Sequence, residues 1–170
     1  MWPGAFDTSS LVQLMRSRRS CRKYKKTPVE AETLEDLVHI GITAPSGTNS
    51  QMWRFHLVDK REQVIRPGEL TGQFYAKLNR LAKNRAARIF SKLFLNNVLG
   101  RYYRKYYDVI DDALKRWDET GEDRLFHGAT AAILVTGEKE ASCGQDDALL
   151  ATQNILLAAH AMGLGSCLIG

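Results

Sequence analysis

At 170 residues and 44% hydrophobic side chains, the chain has enough length for one sizeable core and too little for two ordinary domains, so a single domain is expected. Its net charge of +5 and pI near 9.2 favour an anionic ligand or partner. Cys21, Cys143 and Cys167 are odd in number and widely spaced, with no Cys-x-x-Cys pair, so they signal neither a disulfide framework nor a zinc or cluster site and fit a reducing cytoplasm. With no apolar run of about 18 residues and no basic-then-apolar leader, the chain reads as neither secreted nor membrane-spanning.

Leu11, Leu14 and Met15 recur at helical spacing after the candidate caps Ser9 and Ser10. They predict a helix to about Ser17 that delivers a basic cluster at its end. After Thr27-Pro28, Leu34, Leu37, Val38 and Gly41 fall at i, i+3, i+4 and i+7, a second amphipathic helix closed by a small residue and stopping at Ala44-Pro45. Trp53 to Val58 alternates apolar and polar side chains, a strand ended by Asp59 and Lys60. From Gln73 to Trp117 there is little turn chemistry except Gly100, which predicts two long helices or one broken pair. This segment carries eleven Lys or Arg against three Asp, interleaved with aromatic residues.

Ala129 to Thr136 has the small, apolar character of a buried strand, terminated by Gly137. Asp146 and Asp147 favour a helix start by the dipole argument. Leu149, Leu150, Ile155, Leu156, Leu157 and Met162 make that helix apolar nearly all round, so it is expected to be central and buried. Gly163-Leu164-Gly165 breaks it. Ser166 to Gly170 reads as the start of another strand cut at its last residue, and further chain is expected beyond it.

Two segments carry the chemistry. Arg18, Arg19, Ser20 and Arg22 supply planar guanidinium donors and a hydroxyl, the groups a phosphate requires. Alone, they read more readily as a solvated basic helix end continued by Lys23, Lys25 and Lys26. Pro45 to Gln51 is a small-residue, amide-bearing loop that also reads as a simple capping turn. Taken together they describe a pocket for a phosphate at one end and a flat, hydrogen-bonding ring at the other, the chemistry of FMN. The histidines His39, His56, His127 and His160 show no His-x-x-x-His spacing and are assigned structural or surface roles. Asp111-Asp112 and Asp146-Asp147 are read as caps or solvated charges, because sequence neighbours on a helix do not face each other. The cysteines have no base nearby in sequence and gain no nucleophilic role.

The segments RRSCRKY, APSGTNSQMWRF and ATQNILLAAHAMGLGSCLIG occur in that order, and their combination resembles the nitroreductase family of FMN-dependent oxidoreductases from Leu11 to Gly170. The resemblance implies an α+β fold, a mostly antiparallel central sheet flanked by helices, in an intertwined homodimer with FMN at the interface. It implies that Arg18, Arg19, Ser20 and Arg22 hold the FMN phosphate and ribityl chain. Pro45, Ser46, Gly47, Asn49 and Gln51 would reach the flavin from the partner subunit, and the backbone of Leu168, Ile169 and Gly170 would lie beside its reactive edge. The aromatic helical region, with Tyr103 and Tyr107, would shape a substrate pocket. Family members usually continue to another phosphate-binding Arg and a C-terminal extension that wraps the partner, neither of which this sequence contains.

The implied activity is hydride transfer from NAD(P)H through flavin to a nitroaromatic, a quinone or a similar acceptor, by a ping-pong mechanism needing no dedicated acid. Iodotyrosine deiodinases share these motifs. Two other readings stand beside it: a flavin-binding module without turnover, and a nucleic-acid binder using the basic aromatic segment 73–117. Tyrosines four apart, Tyr102 with Tyr106 and Tyr103 with Tyr107, pack more often against a core or partner than against bases, which ranks nucleic acid last.

Overall fold

The computed structural model describes residues 7–169. In chain order its elements are α1 (Thr8–Ser17), α2 (Ala31–Gly41), β1 (Trp53–Val58), α3 (Arg61–Lys83), α4 (Arg85–Phe94), α5 (Val98–Lys105), α6 (Tyr107–Thr120), β2 (Ala132–Gly137) and α7 (Gly144–Ala161), with a short 3-10 turn at Gly47–Asn49. They form two compact units, one from the residues up to 64 together with those from 129 onward, the other from 65 to 128.

The first unit is organised by α7. Leu34 and Leu37 of α2 and Ile155 and Ala159 of α7 form its buried centre, with Phe55, Ile133, Val135 and Leu164 packed around them. Each large aliphatic side chain withdrawn from water there contributes about 1.5–3 kcal/mol. Gly41 lets the two helices approach: a Cβ on it would stand 3.0 Å from Cδ1 and Cγ1 of Ile155 and 3.2 Å from the Phe55 ring. β1 and β2 pair antiparallel, in register from Trp53 opposite Gly137 to Val58 opposite Ala132.

Four local expectations are corrected. The cap of α1 is Asp7, whose carboxylate accepts from the Ser9 N–H at 3.0 Å, while the Ser9 and Ser10 hydroxyls donate to that carboxylate instead of capping. The second helix ends at Gly41, and Thr43 and Ala44 close it through turn hydrogen bonds to Ile40 and Gly41. β2 starts at Ala132 and is half-buried, with Leu134 45% exposed, because it lies at the rim of a two-stranded sheet. Among the described residues, the strand expected from Ser166 is a single parallel bridge to Ser20.

The second unit is wholly helical. The stretch 73–117 divides into four helices, with asparagines supplying turn chemistry at two of the three joints and Tyr106 standing at the third. Asn84 Oδ1 accepts from the Ala86 and Ala87 N–H groups, and Asn96 and Asn97 adopt left-handed φ of 48° and 56°. α3 begins at Arg61 and runs through Pro67, which removes one ladder hydrogen bond out of a 23-residue helix. Ser91, within α4, ties the start of α5 to it. It is 2% exposed, its hydroxyl accepts from the Leu99 N–H at 3.1 Å, and its carbonyl accepts from the Asn97 N–H at 2.9 Å.

Candidate functional site

The basic cluster is held where α1 meets the end of α7. Arg18 caps α1 by donating its N–H to the Leu14 carbonyl, and Ser17 Oγ lies 2.8 Å from Nε2 of His160 in the last turn of α7. One residue further, the chain pairs with the segment after α7: Ser20 bridges Ser166, and the Cys21 N–H donates to the Ser166 carbonyl at 2.9 Å. Gly165 permits this approach, since a Cβ there would stand 2.9 Å from Cys21 Sγ. Tyr24 is pushed up to about 12, first by burial and then by the neighbouring Cys167 and Cys21 thiols, with Arg22 opposing.

The guanidiniums suit an anion. Among the described residues no carboxylate forms an ion pair with Arg18, Arg19 or Arg22. Arg19 Nη1 donates to the Arg16 and Arg18 carbonyls, which turns its side chain back over the end of α1. Arg22 is exposed and Arg18 half-buried. Leu168 and Ile169 follow the Ser166 bridge and are 51% and 42% exposed, while Gly170 lies outside the described residues.

The second segment docks at the other end of α7. The Gly47 N–H donates to Oδ1 of Asp147 at 2.8 Å, and Ser46 Oγ accepts from the Gln51 N–H at 2.9 Å. Thr48, Asn49 and Gln51 have φ of 55°, 54° and 51°, so three non-glycine residues in four hold a left-handed backbone. Such strain persists only where neighbouring structure enforces it, and it concentrates at ligand-binding loops. Ser50 Oγ is buried without a hydrogen-bond partner, and Gln51 Nε2 reaches Asn49 Oδ1 at 3.4 Å.

Asp147 is the residue that sequence reasoning does not find. Read as a cap or solvated charge, it is 2% exposed, and its Oδ2 has no partner. Its sequence neighbour Asp146 is exposed, as expected. The available signal was the helical row Asp147, Ala151, Ile155 and Ala159, which places the carboxyl on the buried stripe.

The structure therefore sets the two motifs on one helix and does not bring them together in one chain. Asp147 occupies the first turn and His160 the last of an 18-residue helix, so their loops are separated by about 20 Å along the axis. Tyr103 and Tyr107 lie in the second unit with ring centroids 4.8 Å apart, and Arg88 sits 4.2 Å from the Tyr103 centroid.

A small antiparallel sheet and a helix, α7, that supplies the core of the first unit and carries a basic loop at one end and a strained amide loop at the other make an α+β fold; α7 is not buried all round as expected, since Leu149 and Leu150 are 50% and 45% exposed. The chain belongs to the nitroreductase family, whose model matches residues 15–170. It is 32% identical over 163 residues to the iodotyrosine deiodinase of Thermotoga neapolitana, covering 92% of this chain and 71% of that protein. It is 27% identical over 160 residues to an NADPH-dependent oxidoreductase of Staphylococcus epidermidis, covering 94% of this chain but only 53% of the relative.

Among solved structures, an FMN-dependent nitroreductase of Clostridium difficile matches with a TM-score of 0.56 and 27% identity, over 94% of this chain and 59% of that one. An iodotyrosine deiodinase bound to FMN and 3-iodo-L-tyrosine matches with a TM-score of 0.54 and 26% identity, over 91% and 71%. A nitroreductase of Bacteroides fragilis, 20% identical with a TM-score of 0.60 over 94% and 69%, adds support for the fold. No helix among the described residues is long and apolar enough to cross a membrane.

Proposed function

We propose that the chain is an FMN-dependent oxidoreductase that works as a homodimer. The observation that carries this reading is the cluster of Arg18, Arg19 and Arg22, without carboxylate partners among the described residues and pinned through Ser20 and Cys21 to the Ser166 turn. It has the charge, planarity and fixed backbone that a terminal phosphate selects. Ser20 adds a hydroxyl beside it, and Leu168 and Ile169 supply exposed apolar and backbone surface for a ring.

The amide loop belongs to the same site by pairing of two copies. Loops about 20 Å apart on one helix meet a single small ligand when two chains pair and each supplies one end. Apolar side chains support such pairing: Leu11, Val12 and Met15 on α1 are 50%, 43% and 55% exposed, and Leu149 and Leu150 on α7 are 50% and 45% exposed. A self-complementary partner covers such a surface. In that dimer the Ser46–Gln51 loop offers its amides and left-handed backbone to the partner's ligand. Asp147 holds the loop in place.

FMN, when bound, supplies two-electron chemistry, taking hydride from a nicotinamide donor and delivering it to an oxidised acceptor such as a quinone or nitroaromatic. The residues of this chain bind the phosphate and orient the ring. The test is a visible spectrum of the purified protein with added FMN, repeated with NADPH. A yellow protein that bleaches and recovers with a quinone supports the reading; a colourless protein, or one that never bleaches, overturns it. Replacing Arg22 by Ala removes a charge-assisted contact of about 1.5–3 kcal/mol, weakening FMN roughly 10- to 150-fold. Parallel double-reciprocal plots are expected for donor and acceptor, and intersecting lines would overturn the shared pocket. The kinship with iodotyrosine deiodinase favours a second reading, reductive dehalogenation of a halotyrosine. Release of iodide from 3-iodotyrosine under reducing conditions separates the two.

A further inference from the structure

A second basic site lies wholly within the helical unit. α4 and α5 enclose an open cleft of about 310 Å³, lined by Arg85, Arg88, Lys92 and Arg104 together with Tyr103 and Ile89. No carboxylate lines it, and from Thr71 to Tyr107 the sequence contains nine Lys or Arg and no Asp or Glu. Four cations around one cleft repel one another, and nothing on α4 or α5 offsets them. Of the acidic residues on this unit's α6, Asp111 pairs with Lys115 and Asp112 with Arg116 and Arg124, and Asp108, Asp118 and Glu119 do not line the cleft.

One of the four cations, the Arg88 guanidinium, is fixed in advance. Arg88 Nη1 donates to the Ala82 and Lys83 carbonyls at 2.5 and 3.0 Å, and its guanidinium lies 4.2 Å from the Tyr103 ring centroid. Binding through a group already held in position costs less side-chain entropy than recruiting a free one. The floor is shaped as well: a Cβ at Gly100 would stand 3.1 Å from Cγ of Asn97, so only glycine leaves that side of the cleft open. A single carboxylate would neutralise one of four charges. A polyphosphate or phosphomonoester offers several, with oxygens that accept from guanidinium pairs.

We propose that the α4–α5 cleft binds a multiply charged phosphate group. The same chemistry comes from a free polyphosphate or from a phosphomonoester lipid headgroup, for which Phe90, Leu93 and Phe94 of α4, 57%, 70% and 69% exposed, give adjoining apolar surface. The inference is independent of the flavin reading, and its test keeps the two apart.

The protein saturated with FMN, so that the Arg18–Arg22 cluster is filled, is titrated calorimetrically with inorganic tripolyphosphate. In parallel it is sedimented with phosphatidylcholine vesicles with and without phosphatidic acid. Lys92→Gln with Arg104→Gln removes two exposed cations of the cleft that hold no part of the fold together, and Arg66→Gln with Lys77→Gln removes two exposed cations outside it. Binding of tripolyphosphate, of phosphatidic acid vesicles or of both is expected, weakened about tenfold or more by the first pair and less than twofold by the second. Tripolyphosphate alone assigns a soluble ligand, and vesicles alone a lipid headgroup. No binding in either arm, or equal weakening by both pairs, overturns the proposal. If the protein takes up no FMN, the same titration is made on Arg22→Ala, so that failure of the flavin reading leaves this result readable.

Discussion

Asp147 offers the sharpest test of how the amide loop is held. Replacing it by Ala removes the acceptor that takes the Gly47 N–H at 2.8 Å, inside a part-buried contact that water does not readily replace. Leaving that donor unpaired costs about 1–3 kcal/mol, which for a chain of this size lowers the melting midpoint by roughly 2–12 °C. The effect should concentrate in the loop. Thr48, Asn49 and Gln51 hold left-handed φ near 50°, each disfavoured for a non-glycine residue by about 1 kcal/mol or more, and Asp147 ties the start of that run to α7. Asp147→Asn keeps an oxygen where Oδ1 stands, and its amide nitrogen replaces the Oδ2 that has no partner. Hydrogen exchange at the Gly47 amide is the assay. Protection is expected in the parent and in Asp147→Asn and should be lost in Asp147→Ala, with FMN affinity falling in the same order. An Ala variant with the parent's melting point and a protected Gly47 amide would refute the reasoning.

Gly41→Ala pushes a methyl to 3.0 Å from Ile155, so a loss of about 1–3 kcal/mol is expected in urea, partly restored by Ile155→Val; an unchanged midpoint would show that α2 and α7 have room to spare. Asp7 is held near 2, below its usual 3.8, chiefly by the Ser10 and Ser9 hydroxyls. Its support of α1 is therefore complete above 3.8 and lost as pH falls through about 2, and Asp7→Ala should abolish that acid step in a circular-dichroism titration. Tyr24 is displaced upward, so its contribution is complete below 10 and lost as pH rises through about 12. Tyr24→Phe should flatten the alkaline limb, and a tyrosinate signal fully developed by pH 10.5 or so would contradict the burial assigned to it.

Apolar periodicity made α2 and β1 legible because one pattern of burial decides each of them, whereas α7, expected to be buried all round, hides one stripe and leaves Leu149 and Leu150 half-exposed. Leu34, Leu37 and Gly41 fall on the stripe that the spacing selects, and β1 has the expected bounds. Joints were harder to read where the deciding interaction is a side chain acting on nearby backbone. Asn84, Asn96 and Asn97 break the helical segment by capping and left-handed turns that no hydrophobic pattern records. At β2 the boundary shifts by tertiary contact: the Ala129 carbonyl accepts from Arg61, and the Thr130 hydroxyl donates to the Thr27 carbonyl, which holds both residues outside the sheet.

The site shows the same division at longer range. Arg18, Arg19, Ser20 and Arg22 could be read as an anion cluster from residue type alone, because guanidinium chemistry is carried by the residue itself. The role of Asp147 could not, because it depends on a backbone N–H a hundred positions earlier in the chain. Its carboxyl and the Ser17–His160 contact convert α7 into a spacer that fixes how far apart the two loops stand. The helix that supplies the core of the first unit thus also sets the geometry of the proposed binding site. Shortening it by one turn would draw the loops closer by about 5 Å while leaving Asp147 close to the buried stripe, because a whole-turn step nearly preserves the facing of a helix, so such a change acts chiefly on the spacing of the site.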